Sequence, residues 1–203
     1  ISNDDLSIRL MVDNPWWDYS SGFESKLRTQ RKRDLFPAFF RSIQDLGQGT
    51  GLVLAGTLGV GKTVMLRQAV ARLIEDGVPP SAVFYASLAS PVYGSVDLIR
   101  LLEIFTSRHG HGPETELYLF FDEIQYAGDW QDILPALARA WPKARFVAAV
   151  SSGATAITTG EMPSDSEIST FVLPALTFPE FLRFQGTEEN LFTEGQTGSA
   201  LVL

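Results

Sequence analysis

The stretch TGLVLAGTLGVGKT, residues 50–63, constrains this chain more than any other. A short apolar run ends in glycine, two further glycines follow within five residues, and a Lys-Thr pair opens an apolar-periodic segment. A buried strand that turns tightly into a helix accommodates that order. Glycine reaches positive φ and lets the backbone come close to a ligand. The amides of such a turn converge on an anion, and the start of the helix adds its positive end. Gly56-Thr57-Leu58-Gly59-Val60-Gly61-Lys62-Thr63 satisfies G-x-x-x-x-G-K-[ST] at every position. With glycine near ~7% of residues, a chance match is on the order of one in a hundred, and the flanking strand and helix lower it further. The stretch from Gly56 to Val64 therefore reads as a phosphate cradle. The loop and first turn (Gly56, Thr57, Leu58, Gly59, Val60, Gly61, Lys62, Thr63, Val64) would surround the phosphates. The Lys62 ammonium would reach the β- and γ-phosphates, and the Thr63 hydroxyl would take a place on Mg²⁺.

The rest of the chain supplies the sheet that such a cradle needs. Apolar runs at 50–56, 82–87, 117–123, 144–150 and 169–176 read as strands. Helical spacing runs through 62–76, 96–105 and 129–141, the last with Asp129 placed as an N-cap. The strands do not alternate in polarity, as expected of parallel strands covered by helices on both faces. Strand-helix repetition of this kind gives the α/β class. Three segments follow: an N-terminal arm with a basic helix over 1–46, the α/β domain over 47–184, and a tail over 185–203 that would begin a further C-terminal region. Within the first, residues 1–25 are expected to be irregular, and 26–46 helical up to Gly47. SSGATAITTGEMPSDSE, 151–167, reads as a loop.

A cradle that holds a nucleoside triphosphate needs an acidic partner for the metal. Leu117-Tyr118-Leu119-Phe120-Phe121-Asp122-Glu123 has that form. An apolar strand carries Asp122 to its C-terminal end, where open α/β sheets bind ligands. Asp122 would hold Mg²⁺, and Glu123 would orient and polarise the attacking water. Sixty residues separate Lys62 from Asp122, enough for two helices and an extra strand. The Asp-Glu pair favours hydrolysis over transfer to an organic acceptor. No N-K-x-D guanine signature is present, so ATP, with ADP as product, is the expected nucleotide.

With these motifs in hand, the chain resembles the AAA+-like ATPases of bacteria and archaea, in many of which a nuclease-like C-terminal domain follows. The resemblance runs over about 14–184. It rests on Asn14-Pro15-Trp16-Trp17, the GTLGVGKT loop, LYLFFDEIQ with Gln125, Asp129-Trp130, and LPALTFPEFL at 173–182. It implies a P-loop NTPase three-layer sandwich with about five parallel strands in the order 5-1-4-3-2. It also implies a polar γ-phosphate sensor at the end of the 144–150 strand, for which Ser151 is the candidate beside the catalytic Glu123 and Lys62. Two departures stand out. Leu58 occupies a loop position where the family often has arginine, and Ser166-Glu167 stands where a Gly-Arg pair often precedes the last strand. An arginine for the transition state would then come from a second copy or a protein partner, with Arg28, Arg31 and Arg33 as candidates within this chain.

Composition excludes several classes. There is no cysteine, hence no disulfide, thiolate metal site or cysteine nucleophile, and a cytoplasmic location is expected. No apolar run reaches the ~20 residues of a bilayer span, so no membrane partner is expected. The net charge of −8 gives no support to nucleic acid as a partner, although Lys26, Arg28, Arg31, Lys32 and Arg33 are concentrated in eight residues. That run is either a solvated helix face or a phosphate-contacting patch. His109 and His111, in RHGHG, read as a solvated loop rather than a metal site. Trp16-Trp17 reads as an anchor of the arm, with stacking on a base as the alternative. The function expected is Mg²⁺-dependent ATP binding and hydrolysis, or alternatively a nucleotide-dependent switch with little turnover.

Overall fold

The computed structural model describes residues 1–18, 30–94, 96–151 and 168–187. Five strands, β1 (Gly51–Gly56), β2 (Val83–Ser87), β3 (Tyr118–Asp122), β4 (Arg145–Ser151) and β5 (Ile168–Val172), form one sheet. Its order is β2-β3-β4-β1-β5, the expected order read from the other edge. Every neighbouring pair is parallel, so all five C-terminal ends lie along one rim. The register pairs Gly56 with Ser151 and Ser87 with Asp122. The glycine loop, Ser151 and Asp122 are thereby brought to one side of the sheet.

The unbroken apolar strands resolve into two faces with a period of two. Val53, Ala55, Phe84, Phe121 and Ala148 belong to one core cluster, whereas Leu52, Leu54, Tyr85, Phe120 and Ala149 belong to the other. On the first face lie α1 (Asn3–Asp13), α4 (Leu98–His109) and α5 (Trp130–Ala140), through Leu6, Leu10, Leu101, Phe105, Trp130 and Leu134. On the second lie α2 (Phe36–Gln44) and α3 (Lys62–Glu75), through Phe39, Ile43, Met65, Leu66 and Val70. The side chains of β1 to β4 are covered almost throughout, which is why polarity does not alternate along them, whereas the edge strand β5 keeps Ser169, Thr170 and Val172 exposed. A final short helix, α6 (Phe178–Gln185), starts at Thr177 in a capping box with Glu180. Among the described residues no helix is long and apolar enough to cross a membrane.

The N-terminal segment differs from the expectation of an irregular arm. Residues 3–13 form a helix started by a reciprocal Ser2–Asp5 capping box. Only Leu6 and Leu10 of this helix are buried, while Ile8 and Val12 are exposed. Two apolar positions one turn apart seat the helix, too weak a periodicity to stand out in the sequence. The helix expected over 26–46 is shorter, running over Phe36–Gln44 with Pro37 in its first turn. Residues 19–29, with Lys26 and Arg28, and most of the 151–167 loop lie outside the described residues, as does the tail beyond 187.

Asn14-Pro15-Trp16-Trp17 closes the β2 edge of the sheet. The buried Asn14 side chain donates from Nδ2 to the Tyr85 carbonyl at 2.8 Å and accepts from the Tyr85 amide at 2.7 Å. It thus behaves like one residue of an added strand on an edge that would otherwise be unpaired. The indole N–H groups of Trp16 and Trp17 both donate to the Val83 carbonyl, at 3.0 and 2.9 Å. Trp17 also stacks on Phe105, with ring centroids 5.4 Å apart. The tryptophans anchor the N-terminal segment and are not free to stack on a base. His109 and His111 are not a solvated loop. They pack against Phe105, with His109 also edge-on to Trp17. Burial, helped by His111 and Arg108, pushes His109 down to about 4.

Candidate functional site

The glycine loop joins β1 to α3 at the centre of the rim. Gly59 has φ 82° and Gly61, which caps α3, has φ 98°. Both are left-handed conformations that a side chain disfavours. Gly56 is required for a different reason. A Cβ there would stand 2.6 Å from the Leu173 carbonyl oxygen and 3.0 Å from a Val60 methyl, because the segment after β5 passes directly over the loop. Leu58 is 81% exposed.

Lys62 is buried at the first position of α3. Its ammonium donates to the carbonyls of Gly56 and Thr57 and to Ser151 Oγ, each at 3.0 Å. Burial lowers its proton affinity, while the nearby Glu123 and Asp122 carboxylates raise it. The Ser151 hydroxyl in turn lies 2.9 and 2.7 Å from the two Glu123 carboxylate oxygens, to which it donates its single proton. Gln125 closes the arrangement: its Nε2 donates to Glu123 Oε2, and its Oε1 accepts from the Ser151 amide at 3.4 Å. Lysine, serine and glutamate from three separate segments therefore form one hydrogen-bonded chain.

Glu123 sits at φ 52°, ψ 50°. Among the described residues it is the one non-glycine with positive φ. Such a conformation costs about 1–3 kcal/mol and persists where the surroundings over-determine it. Here the strand before it, the short 3-10 turn Ile124–Ala127 after it and the bonds to Ser151 and Gln125 do so.

Asp122, the last residue of β3, is 1% exposed. Tyr85 donates its hydroxyl to Asp122 Oδ2 at 2.9 Å. Oδ1 is buried and has no hydrogen-bond partner. Burial raises the carboxyl's proton affinity, and Glu123 adds to the rise; the nearby Thr63 and Tyr85 hydroxyls and Arg67 oppose it. The same burial and the Asp122 charge push the Tyr85 phenol well above its usual range. An orphaned carboxylate oxygen next to a hydroxyl is a hard-oxygen donor set that fits Mg²⁺, which keeps several waters and takes one or two protein oxygens. Among the described residues no group of three or more His, Asp or Glu could hold a metal ion, so the donor set does not resemble a transition-metal cage.

A cavity of about 150 Å³ opens beside the loop. Val60, Val64, Met65, Leu176 and Phe184 line it with apolar surface, and Gln68 and Arg31 add polar groups.

The sequence matches the family model described as an AAA domain over residues 48–182. The chain belongs to the AAA domain family. Its sheet order and glycine loop are those of an AAA+ P-loop ATPase. No curated protein matches the sequence. Among solved structures, the AAA domain is similar to a DNA replication initiation factor, at 12% identity and a TM-score of 0.49, over 82% of this chain and 54% of that one. It is similar to a chain of Drosophila ORC bound to DNA, at 14% identity and a TM-score of 0.43, over 77% of this chain and 95% of that one. A third is the replication initiator DnaA bound to AMPPCP and single-stranded DNA, at 14% identity and a TM-score of 0.46, over 86% and 56%. The chain spans about half the length of the first and third.

The sequence reading of this AAA domain located Lys62, Thr63, Asp122, Glu123 and Ser151, which the fold gathers at one rim. One candidate is corrected. Arg33 cannot reach a neighbour's site, because it is buried within its own domain and bonded to Glu180 and to the Val60 carbonyl. Arg28, Ser166 and Glu167 lie outside the described residues. Three residues of the site region were given no role from sequence: Tyr85, Gln125 and Glu180. Thr177 and Glu180 carry the T-x-x-E capping signature; the Tyr85–Asp122 and Gln125–Ser151 bonds bridge long separations and leave no local mark.

Proposed function

We propose that this AAA domain binds ATP with Mg²⁺ and hydrolyses it. The observation that carries the reading is the Lys62–Ser151–Glu123 chain at the mouth of a glycine loop, beside a buried Asp122 oxygen without a partner. The loop amides and Lys62 would take the β- and γ-phosphates, exchanging the Gly56 and Thr57 carbonyls and Ser151 for phosphate oxygens. Asp122 and Thr63 would hold Mg²⁺, which supplies charge neutralisation on the phosphates when bound. Glu123 would accept the proton of the water that attacks the γ-phosphorus, as the bond to the ADP oxygen breaks. Ser151, bonded to both Lys62 and Glu123, would report whether a γ-phosphate lies between them. The apolar cavity at Val60, Val64 and Phe184 suits the base.

A second reading, a nucleotide-dependent switch with little turnover, draws on one specific observation. Both Glu123 oxygens are engaged by Ser151, and one of them also by Gln125, so the base must be released before it can activate water. Titration with ATP and measurement of phosphate release on three variants tests both readings. Glu123→Gln should bind ATP and lose hydrolysis, since the amide cannot act as a base. Lys62→Ala should lose detectable binding, and Asp122→Asn should bind only at raised Mg²⁺. Micromolar binding by Lys62→Ala refutes the site. Tight binding by the wild type without phosphate release selects the switch.

A further inference from the structure

Arg33 and Glu180 are distant in sequence and form a buried ion pair beside the glycine loop, where Arg33 also lines the cavity. Arg33 Nε donates to Glu180 Oε1 at 2.9 Å and Nη2 to Oε2 at 3.2 Å, the two-point geometry that guanidinium and carboxylate favour. The two side chains are 7% and 3% exposed. The remaining guanidinium nitrogen, Nη1, donates to the Val60 carbonyl at 2.8 Å. Nη2 also reaches the Pro174 and Ala175 carbonyls, at 3.1 and 3.3 Å. Glu180 is held just as fully. It accepts from the Asp34 amide at 3.0 Å and from the Thr177 amide at 3.0 Å. A buried pair with one partner missing would be strongly unfavourable, so the two residues hold the loop, the segment after β5 and α6 as one unit.

The direction of the Val60 bond matters. In a trans peptide the carbonyl and the following N–H point to opposite sides. Pinning the Val60 carbonyl on Arg33 therefore aims the Gly61 N–H the other way, away from the ion pair. Gly61, at φ 98°, has the freedom to rotate out of that orientation. Arg33 is neutralised by Glu180, so it acts on the loop and not on a phosphate.

We infer that Arg33 and Glu180 are a positioning pair for the phosphate loop, and that nucleotide binding at the loop is linked through them to the seating of α6. This rests on the reading of the loop as a nucleotide site. It also accounts for LTFPEF, the late motif of the sequence, because Glu180 at the start of α6 sets the aim of a loop amide. Linkage is reciprocal: if α6 orders the loop, then ATP at the loop must steady α6.

Two measurements test the pair, both with Mg²⁺-ATP. On the wild-type chain, hydrogen exchange with and without ATP should show slowing at 56–64 and also at 177–185. Slowing at the loop with α6 unchanged overturns the inference and leaves the nucleotide site standing. No ATP binding by the wild type overturns both. The second measurement is ATP affinity of Glu180→Gln, well below its melting temperature. Loss of one charged hydrogen-bond partner should weaken affinity roughly tenfold to a hundredfold. Arg33→Met with Glu180→Gln should be no weaker than Arg33→Met alone, because the two act as one device. Wild-type affinity in folded Glu180→Gln refutes the pair. If that variant does not fold, hydrogen exchange of Arg33→Met decides: ATP-dependent slowing at 177–185 as large as in the wild type refutes the pair, because Phe184 also lines the cavity beside the loop.

Discussion

Tyr85→Phe removes one oxygen atom and isolates what the Tyr85–Asp122 bond does. The ring would stay in place. Its face holds Arg67 at 5.2 Å, its edge meets Trp16 at 6.5 Å, and its backbone is bonded on both sides to the Asn14 side chain. The 2.9 Å bond to Asp122 Oδ2 is lost, together with the hydroxyl's interaction with Arg67. Asp122 is 1% exposed, so bulk solvent does not reach the freed oxygen. A hydrogen bond to a buried charged group contributes about 1.5–3 kcal/mol. For a domain of this size each kcal/mol moves Tm by about 2–4 °C, which gives a fall of roughly 3–12 °C without ligand. The hydroxyl also fixes which carboxylate oxygen is left for a metal. Tyr85→Phe should therefore need more Mg²⁺ to reach half-maximal ATP binding, an effect that hydrogen-bonded partners of metal ligands commonly have. Thermal melting without ligand and Mg²⁺ titration of ATP binding check the two parts. A Tm within about 1 °C of wild type would refute the energetic argument, and an unchanged Mg²⁺ midpoint would refute the placement of the metal on Asp122.

Acid should weaken the chain through Glu180. Arg33 holds that carboxyl at about 2, below its ordinary value near 4.5. The stabilisation is thus complete above about 4.5 and is lost as pH falls toward 2. Tm should drop more steeply over that window in the wild type than in Glu180→Gln; parallel curves would contradict the pair. Turnover should be slow for the chain alone, since an arginine finger supplies ~10³–10⁵ in rate and Arg33 is committed to Glu180 and Val60. Phosphate release per molecule should rise with protein concentration if a second copy brings a cation, and fall again in Arg31→Ala, whose side chain is exposed. A fast rate independent of concentration would overturn this.

The sequence alone determined the class of the fold and named the candidate residues that the fold places on one rim. GTLGVGKT needs no tertiary information, because the required glycines, lysine and threonine are adjacent and the chemistry they serve is local. The doubly buried strands announced a covered parallel sheet for the same reason: burial on both faces is written into each strand separately. Asp122 and Glu123 were legible as the acidic end of an apolar strand. Only the tertiary structure decided what holds these residues in place. Asn14 bonds to Tyr85, Tyr85 to Asp122, and Arg33 to both Glu180 and Val60. None of those pairs has a periodic or local signature, and a basic run containing Arg33 looks the same whether it faces water or a buried carboxylate. The first helix was hidden likewise, since Leu6 and Leu10 become a core face only when the sheet provides the other half. Local chemistry is legible one segment at a time; the geometry that aims it depends on contacts between segments that only folding brings together.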